Sequence, residues 1–206
     1  MTMLTLVFLS TASQLYAKKV KVTIDGTVAS YVSKLYLIVN EDTANAQPIP
    51  LQDKQFSVTV KVDDNALIRL HENKDWPERA FFVLIPDSKH ITVDMNTWKI
   101  DGSPMSQRLR KACDQIRRAG PDGFHVDVFS DNPDDWARAR ETERRVRAEM
   151  TEHQKNLIRQ VVEENKDNVI PVWVTYCFAN IFEEGIIGIV RGDFPKWLGH
   201  PVLRKK

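Results

Sequence analysis

The sequence predicts an α+β protein, with an N-terminal antiparallel β-sandwich or small barrel followed by a helical region of about three helices. Apolar residues recur at a period near two from Lys18 to Asp101, which is typical of strands buried on one face. Beyond Gly102 the apolar period becomes that of a helix. We therefore expect a β domain over residues 18–101, a helical region over 102–184 and an irregular C-terminal tail over 185–206.

An uncharged apolar segment opens the sequence. Residues 1–17 carry no charged side chain, include an apolar run over 4–9, and pass through small residues to Ala17. This pattern is typical of a secretory signal peptide cleaved near Ala17, and it is too short to span a bilayer. The alternative is that residues 4–9 form a first strand. We expect a periplasmic or otherwise exported protein without a transmembrane segment in its mature chain.

Seven or eight short strands are expected in the β domain. Three are marked by alternating apolar side chains, and turn residues separate the other candidates at 67–70, 80–85, 91–95 and 98–100. So many strands in about eighty residues favour a sandwich or a small barrel. The alternating residues are Val20, Val22, Ile24 and Val28, then Leu35, Leu37 and Val39, then Phe56, Val58, Val60 and Val62.

Capping residues predict where the first two helices begin. Ser103 and Pro104 suit the N-cap and first helical position, and Asn132 and Pro133 repeat that pair before a long helix to about Asn165. A third segment, 172–182, is apolar nearly all round and is expected in the core. The predicted inward residues are Met105, Leu109, Ala112 and Ile116 in the first helix, and Trp136, Ala139, Val146, Met150, Leu157 and Val161 in the second.

The overall charge does not suit a nucleic-acid-binding protein. Lys+Arg number 29 and Asp+Glu 28, so the net charge of +1 supplies no positive field for phosphate contacts, and we expect no nucleic-acid partner. The first helix has a local excess of basic residues that could bind an anionic partner, although nearby acids could balance it. The basic residues are Arg108, Arg110, Lys111, Arg117 and Arg118, and the acids are Asp122, Asp127, Asp131, Asp134 and Asp135.

Four residues are candidates for a functional role. Cys113 and Cys177 do not form a C-x-x-C pair, so they are either one disulfide or two free thiols. Trp76 and Trp98 lie beside turns of the β domain, where large aromatic side chains line a ligand site or close a core.

Familiar motifs of catalysis and cofactor binding are missing from the sequence. It contains no G-x-S-x-G elbow, no phosphate-binding loop and no dinucleotide-binding glycine pattern, and its five histidines are scattered. We therefore expect no cofactor and no metal site, and we do not expect an enzyme of a recognisable class.

Several short segments carry a resemblance to a known family. Residues 24–28 read Ile-Asp-Gly-Thr-Val, residues 34–37 and 54–58 form further strand entries, and 100–105, Ile-Asp-Gly-Ser-Pro-Met, lead into a helix. Their order resembles the β domain of unknown function that precedes the thioredoxin domain of TlpA-like and AhpC/TSA-like thiol-disulfide oxidoreductases in Gram-negative bacteria. The resemblance covers about residues 18–116, although Ser106 replaces the usual asparagine.

The resemblance does not carry redox activity to this chain, because the sequence has no C-x-x-C. The first hypothesis is therefore a noncatalytic binding or assembly module of the cell envelope, which binds an unknown protein partner or small ligand. The second is an accessory role in periplasmic thiol-disulfide exchange, through Cys113 or Cys177. A third, a hydrolase without a recognisable motif, predicts a pocket that holds acids of perturbed pKa.

Overall fold

The computed structural model describes residues 17–73, 82–190 and 196–205. Apart from Ala17, the predicted signal peptide lies outside these residues, and so does the candidate site residue Trp76. The described chain has a mixed α+β fold with two four-stranded sheets and four helices.

Eight strands form the two sheets of the described chain. Seven of them overlap strands that the sequence predicts, and the additional one, β3, contains Pro48. Its sequence lacks the alternating apolar residues that indicate a strand, and proline is tolerated there because β3 lies at a sheet edge. The strands are β1 Lys19–Thr27, β2 Leu35–Val39, β3 Gln47–Ile49, β4 Gln55–Asp63, β5 Ile68–His71, β6 Phe82–Leu84, β7 His90–Asp94 and β8 Lys99–Asp101.

One strand pair departs from the predicted antiparallel arrangement. The first sheet has the order β4-β1-β7-β8 and the second β3-β2-β5-β6. In the first sheet β1 and β7 run parallel, with Thr23 opposite His90 and Thr27 opposite Asp94, so a purely antiparallel β domain is wrong. Parallel neighbours need a long crossover connection, and the chain between these strands supplies one because it includes the whole second sheet.

The two sheets contribute to one apolar cluster, the β core. Val22 and Ile91 enter it from the first sheet, and Leu35 and Leu70 enter it from the second. No strand of one sheet is hydrogen-bonded to a strand of the other within the described residues. The closed barrel, one of the two predicted alternatives, is therefore not formed.

The helices follow the strands in the chain. They are α1 Pro104–Ala119, α2 Pro133–Glu164, α3 Ile170–Phe178 and the single turn α4 Ile186–Ile189. The predicted start of α1 is confirmed, because the Ser103 hydroxyl accepts a hydrogen bond from the Ser106 N–H at 3.1 Å and Pro104 is the first helical residue. Most of the predicted inward face of α1 is buried.

Helix α2 packs on the protein only through its second half. Its start is confirmed, since the Asn132 side chain accepts a hydrogen bond from the Asp134 N–H at 3.0 Å. The fully buried positions begin at Gln154 and continue to Val162. Trp136, predicted to face inward, is instead 45% exposed. The prediction is wrong because the first half of α2 extends past the helices that could cover it.

A second apolar cluster holds the helices together. It combines α1, the end of α2 and α3 with residues beside β5 and β6, and the core position predicted for the third helical segment is confirmed. The predicted irregular tail contains α4 and two 3-10 turns, and it places Trp197 and Val202 in this cluster. Within the described residues, no helix combines the length and the apolar character that crossing a membrane requires.

Candidate functional site

The candidate site lies where the last strand passes into the first helix. Gly102, between β8 and α1, has a φ of +81°, and a Cβ atom there would come within 2.4 Å of the His90 carbonyl oxygen. Glycine therefore permits a sharp turn that leaves α1 close beside β8. The Gln107 side chain donates to the Ile100 carbonyl at 2.6 Å and fixes this approach.

A buried group of hydroxyls holds the start of α1 in place. Ser103 and Ser106 are fully buried, and the Ser106 hydroxyl accepts a hydrogen bond from the Ile85 N–H at 2.8 Å. The Asp87 carboxylate accepts from the Ser103 hydroxyl at 2.5 Å and from the Met105 N–H at 2.8 Å. Ser106 thus satisfies a buried backbone donor. The position of α1 against the second sheet is fixed by these bonds.

A groove of about 510 Å³ separates β8 from the exposed face of α1. The α1 side chains that line it are spaced by three and four residues, which places them on one helix face. The charged lining residues are four cations, Lys99, Arg110, Lys111 and Arg118, and two carboxylates, Asp101 and Asp114. The groove therefore has a net positive charge in a protein that is close to neutral overall.

Trp98 forms one wall of the groove and is 42% exposed. The Arg110 guanidinium lies 5.5 Å from the centroid of the Trp98 ring and 5.3 Å from that of Phe82. One nitrogen of this guanidinium, Nη1, has no hydrogen-bond partner among the described residues, so the two aromatic faces stabilise its charge. Trp98 is thus a partly exposed ring that lines a groove. Its role in binding a ligand stays a prediction.

The backbone at Trp98 is held in an uncommon conformation. Its φ is +59°, a left-handed value that bulky residues rarely adopt. Asp94 organises this turn, because its carboxylate accepts from the Thr97 hydroxyl at 2.7 Å, the Asn96 N–H at 2.9 Å and the Thr27 hydroxyl at 2.9 Å. These hydrogen bonds, that of Thr97 above all, hold the pKa of Asp94 well below its usual range. This turn determines the position of the Trp98 indole ring.

The cations of the groove differ in how far they are neutralised. Lys99 pairs with Asp101 at 2.9 Å, and Arg110 approaches Asp114 at 3.9 Å. Lys111 and Arg118 are exposed and have no ion-pair partner in the described part of the chain. They are therefore the two charges of this groove that are free to meet an anionic ligand.

The acids that the sequence places near α1 do not neutralise it. In the described residues none of Asp122, Asp127, Asp131, Asp134 and Asp135 pairs with a cation of α1. Asp127 lies 3.3 Å from the His125 ring, and Asp135 is bound by Arg138. These acids therefore balance α1 through no ion pair in the described residues, and the acid that pairs with its cations is Asp114 of the same helix, 3.4 Å from Arg117 and 3.9 Å from Arg110.

Comparisons with known proteins do not assign this chain to a family. No protein-family model matches the chain, and no curated protein is significantly similar to it in sequence. The proposed function therefore rests on the lining residues and the charge of the groove.

No disulfide joins the two cysteines in this structure. Cys113 lies on the inner face of α1 and is 4% exposed, whereas Cys177 on α3 is partly exposed. Burial raises the pKa of the Cys113 thiol to about 12. Since the thiolate is the reactive form, Cys113 is unsuited to thiol-disulfide exchange, and that hypothesis depends on Cys177.

A metal site needs several His, Cys, Asp or Glu side chains within reach of one ion. Within residues 17–73, 82–190 and 196–205, no three side chains of His, Cys, Asp or Glu come together as a metal-binding group. His200 is buried and its ring lies 3.1 Å from the Asn65 carbonyl oxygen, which ties the tail to the turn before β5. Burial lowers the pKa of His200.

A buried polar cluster beneath α3 was missed by sequence reasoning. Arg69 and His71 are both 1% exposed and lie on the side of β5 that faces away from the β core. Glu41 and Tyr176 complete the cluster, and burial together with the Glu41 carboxylate raises the pKa of Tyr176. The strand alternation places Arg69 and His71 on a polar face, but the helices cover that face. Ile38 is apolar and lies on the same face as Arg69. This apolar residue is the sequence signal that could have indicated that helices cover the face.

Proposed function

We propose that this protein is a noncatalytic binding or assembly module of the cell envelope, and that the groove between β8 and α1 binds an acidic peptide segment. The observation that carries this proposal is the combination of an exposed tryptophan face with a net positive charge. Trp98 is 42% exposed and offers apolar ring surface, while Lys111 and Arg118, which have no ion-pair partner among the described residues, offer two charges beside it. A ligand that matches both features has carboxylates and an aromatic or large apolar group.

The spacing of the free cations favours a peptide over a small anion. Lys111 and Arg118 are seven residues apart on one helix, so their backbones are separated by about 10 Å along the axis. An extended peptide covers that distance with about three residues, at roughly 3.3 Å each. A chain segment can therefore contact both cations at once.

The chemistry of the lining residues supports binding without catalysis. The described residues that line the groove are charged, amide-bearing or apolar, and include no Ser, Thr, Cys or His that would act as a nucleophile or proton carrier. Arg110 lies against the neighbouring rings of Phe82 and Trp98, and Gln107 donates a hydrogen bond to the backbone of β8, so both help to shape the groove.

The fold and the location of the protein belong to the same proposal. We infer that the two sheets form a sandwich, which is supported by the apolar cluster that they share. The order of strands and the Gly102–Pro104 entry into α1 support a relationship with the thioredoxin-associated β domain. Export to the periplasm is supported by the apolar leader at residues 1–17 of the sequence.

The binding proposal is tested with a fluorescent peptide in which glutamates alternate with phenylalanines. Its anisotropy is measured against increasing concentrations of the full chain at low ionic strength. We expect saturable binding, and we expect the double variant Lys111→Glu/Arg118→Glu to weaken it at least about tenfold, because two attractions become repulsions.

A matched control separates a local effect from a change in net charge. Lys21 and Lys61 are exposed and face each other across β1 and β4, so Lys21→Glu/Lys61→Glu alters the net charge by the same amount on another surface. This control should bind the peptide like the wild type. Equal binding by the wild type and the groove variant, or no binding by either, would overturn the proposal.

A further inference from the structure

The connection between α1 and α2, together with the first half of α2, forms an arm that leaves the body of the protein. We define the arm as residues 121–153. It is held together by its own contacts: Arg147 bonds the carbonyl oxygens of Pro121 and Phe124, and the Trp136 indole donates to the Ser130 carbonyl at 2.7 Å. The fully buried positions of α2 begin only after the arm, at Gln154.

The base of the arm is fixed to the body. The Gln154 side chain donates to the Ile116 carbonyl at 2.9 Å, near the end of α1. Gly120 lies against the same side chain, and a Cβ there would meet it at 2.4 Å. From Gln154 back to Pro133 the helix runs about 30 Å at 1.5 Å per residue. The far end of the arm is therefore well separated from the body.

The far end of the arm, residues 127–136, is acidic and aromatic. We call this segment the tip. It contains four aspartates and no lysine or arginine. Phe129 is 97% exposed and Trp136 is 45% exposed. Exposure alternates along 124–130, as in an extended chain, and places Asp127 and Phe129 on the outer side. The exposed phenyl ring and the neighbouring carboxylates give the tip both an apolar group and negative charge.

We propose that the tip of one molecule occupies the groove of a second copy of this chain. This inference rests on the proposed function, and it names the acidic segment that the groove binds. Asp127 and Asp131 are about 13 Å apart in an extended chain, which is comparable to the separation of Lys111 and Arg118. Phe129 lies between the two acids in sequence and would contact the exposed face of Trp98. The two surfaces are thus complementary in charge and in apolar character.

The geometry of the arm makes this contact intermolecular. The tip lies about 30 Å beyond Gln154 along a rigid helix, so it does not fold back onto the groove beside α1 of its own chain. The tip and the groove are different surfaces, so the contact is of the head-to-tail type. Two copies that exchange tips leave neither surface unoccupied, whereas a single contact leaves one tip and one groove, so assembly closes into a ring, of which the reciprocal dimer is the smallest, or continues as an open chain.

The test measures molecular mass by light scattering and sedimentation over a range of concentrations of the full chain. At low ionic strength the wild type should associate into a dimer or a larger assembly as concentration rises. In about 1 M salt it should return to the monomer, because charge interactions are then screened within about 3 Å. Phe129→Ser removes the exposed ring of the tip without touching the core and should weaken association at least about tenfold. The groove variant Lys111→Glu/Arg118→Glu should also be monomeric.

Mixing the two variants provides the decisive observation. Each variant keeps one competent surface, so an equimolar mixture should form a dimer and nothing larger, while each variant alone remains monomeric. The Lys21→Glu/Lys61→Glu control should assemble like the wild type. A mixture that stays monomeric, or a groove variant that assembles like the wild type, would contradict the head-to-tail contact.

The peptide experiment distinguishes the two proposals. If the wild type is monomeric at all concentrations but binds the glutamate-phenylalanine peptide through Lys111 and Arg118, the groove is a peptide site and the tip is not its ligand. If neither the peptide nor a second copy binds, both proposals fail. Assembly that follows the mixing rule, with binding of the peptide, supports both.

Discussion

Oε1 of Glu41 lies 2.9 Å from Nε of Arg69, and the side chains are 6% and 1% exposed. Arg69 is in β5, Glu41 is in the turn after β2, and the Tyr176 hydroxyl of α3 lies 3.5 Å from the second oxygen of the carboxylate. The pair therefore joins the second sheet to the helical layer. Because both charged groups are buried, each is stabilised mainly by its polar neighbours. The contact between the second sheet and the helical layer is therefore sensitive to the loss of either Glu41 or Arg69.

Glu41→Ala tests the contribution of this pair. Removing the carboxylate takes an opposite charge away from a buried guanidinium, and we expect the free energy of unfolding to fall by about 3 kcal/mol. Glu41 has a φ of +57°, which is strained for alanine as well as for glutamate. The substitution therefore does not change the backbone strain at this position. Urea denaturation followed by circular dichroism measures the effect. Lys19→Ala removes a half-exposed pair with Asp63 and should change stability by less than about 1 kcal/mol. Similar losses in the two variants would contradict the prediction.

This buried pair also shows which part of the fold could be predicted from the sequence. Alternation correctly predicts that Val22 and Leu35 face the β core, and the period change at Gly102 correctly predicts where α1 begins. Alternation reports only which residues share a face, and it carries no information about what covers the polar face. The position of Arg69 under α3 and the parallel pairing of β1 with β7 both depend on contacts between residues far apart in sequence.

Stability should depend on pH through His71. Burial, together with the charge of Arg69, lowers the pKa of His71 to about 4, below the value of about 6.5 in an unfolded chain. Between these values the unfolded state binds more protons than the folded state, so the free energy of unfolding should fall as pH decreases from about 6.5 towards 4 and should be level above 6.5. Urea midpoints at pH 7.5 and pH 5 measure this.

The matching variant for that experiment is His71→Asn. The amide oxygen can take the place of Nδ1, which accepts a hydrogen bond from the Asn73 N–H at 2.7 Å. This variant should lose much of the dependence on pH between 7.5 and 5. Part should remain, because burial also lowers the pKa of His200. His153→Asn, at an exposed position of α2, should keep the full dependence. A wild type equally stable at both pH values would refute the assignment.

The tight turn before β4, which an antiparallel bridge between Gln52 and Gln55 closes, should be improved by a glycine at position 53. Asp53 and Lys54 have φ values of +50° and +63°, and the turn is closed by the Gln55 N–H donating to the Gln52 carbonyl at 2.8 Å. Turns with two left-handed residues prefer glycine, so Asp53→Gly should raise the free energy of unfolding by about 0.5–1 kcal/mol. Thermal or urea denaturation measures the gain.

Lys54→Gly is the informative comparison for this turn. It relieves the same kind of backbone strain, but it removes an ammonium group that donates to the carbonyl oxygens of Ser30 at 2.8 Å and Val32 at 3.1 Å. We therefore expect Lys54→Gly to stabilise less than Asp53→Gly. The opposite order would mean that these bonds contribute little.

The candidate site was only partly visible in the sequence. The basic residues of α1 and Trp98 were identified, but nothing in their spacing shows that Gly102 brings the helix alongside β8. The sequence also suggested that the aspartates after α1 neutralise it, because neighbours in sequence are natural partners. The arm separates them, since α2 continues well beyond the helices that cover its second half. A local pattern does not indicate how far a long helix projects.

The reactivity of Cys113 tests whether this thiol can take part in thiol-disulfide exchange. In a Cys177→Ser variant Cys113 is the remaining thiol of the sequence, and its pKa of about 12 replaces an ordinary value of 9.0. The fraction of thiolate at pH 8 is then roughly a thousandfold lower than in an exposed thiol, so the native variant should be nearly inert towards a chromogenic disulfide reagent. In guanidinium chloride the same variant should react at once. Rapid reaction of the folded variant would place Cys113 back among the redox candidates, whereas inertness leaves Cys177 as the thiol on which any exchange must depend.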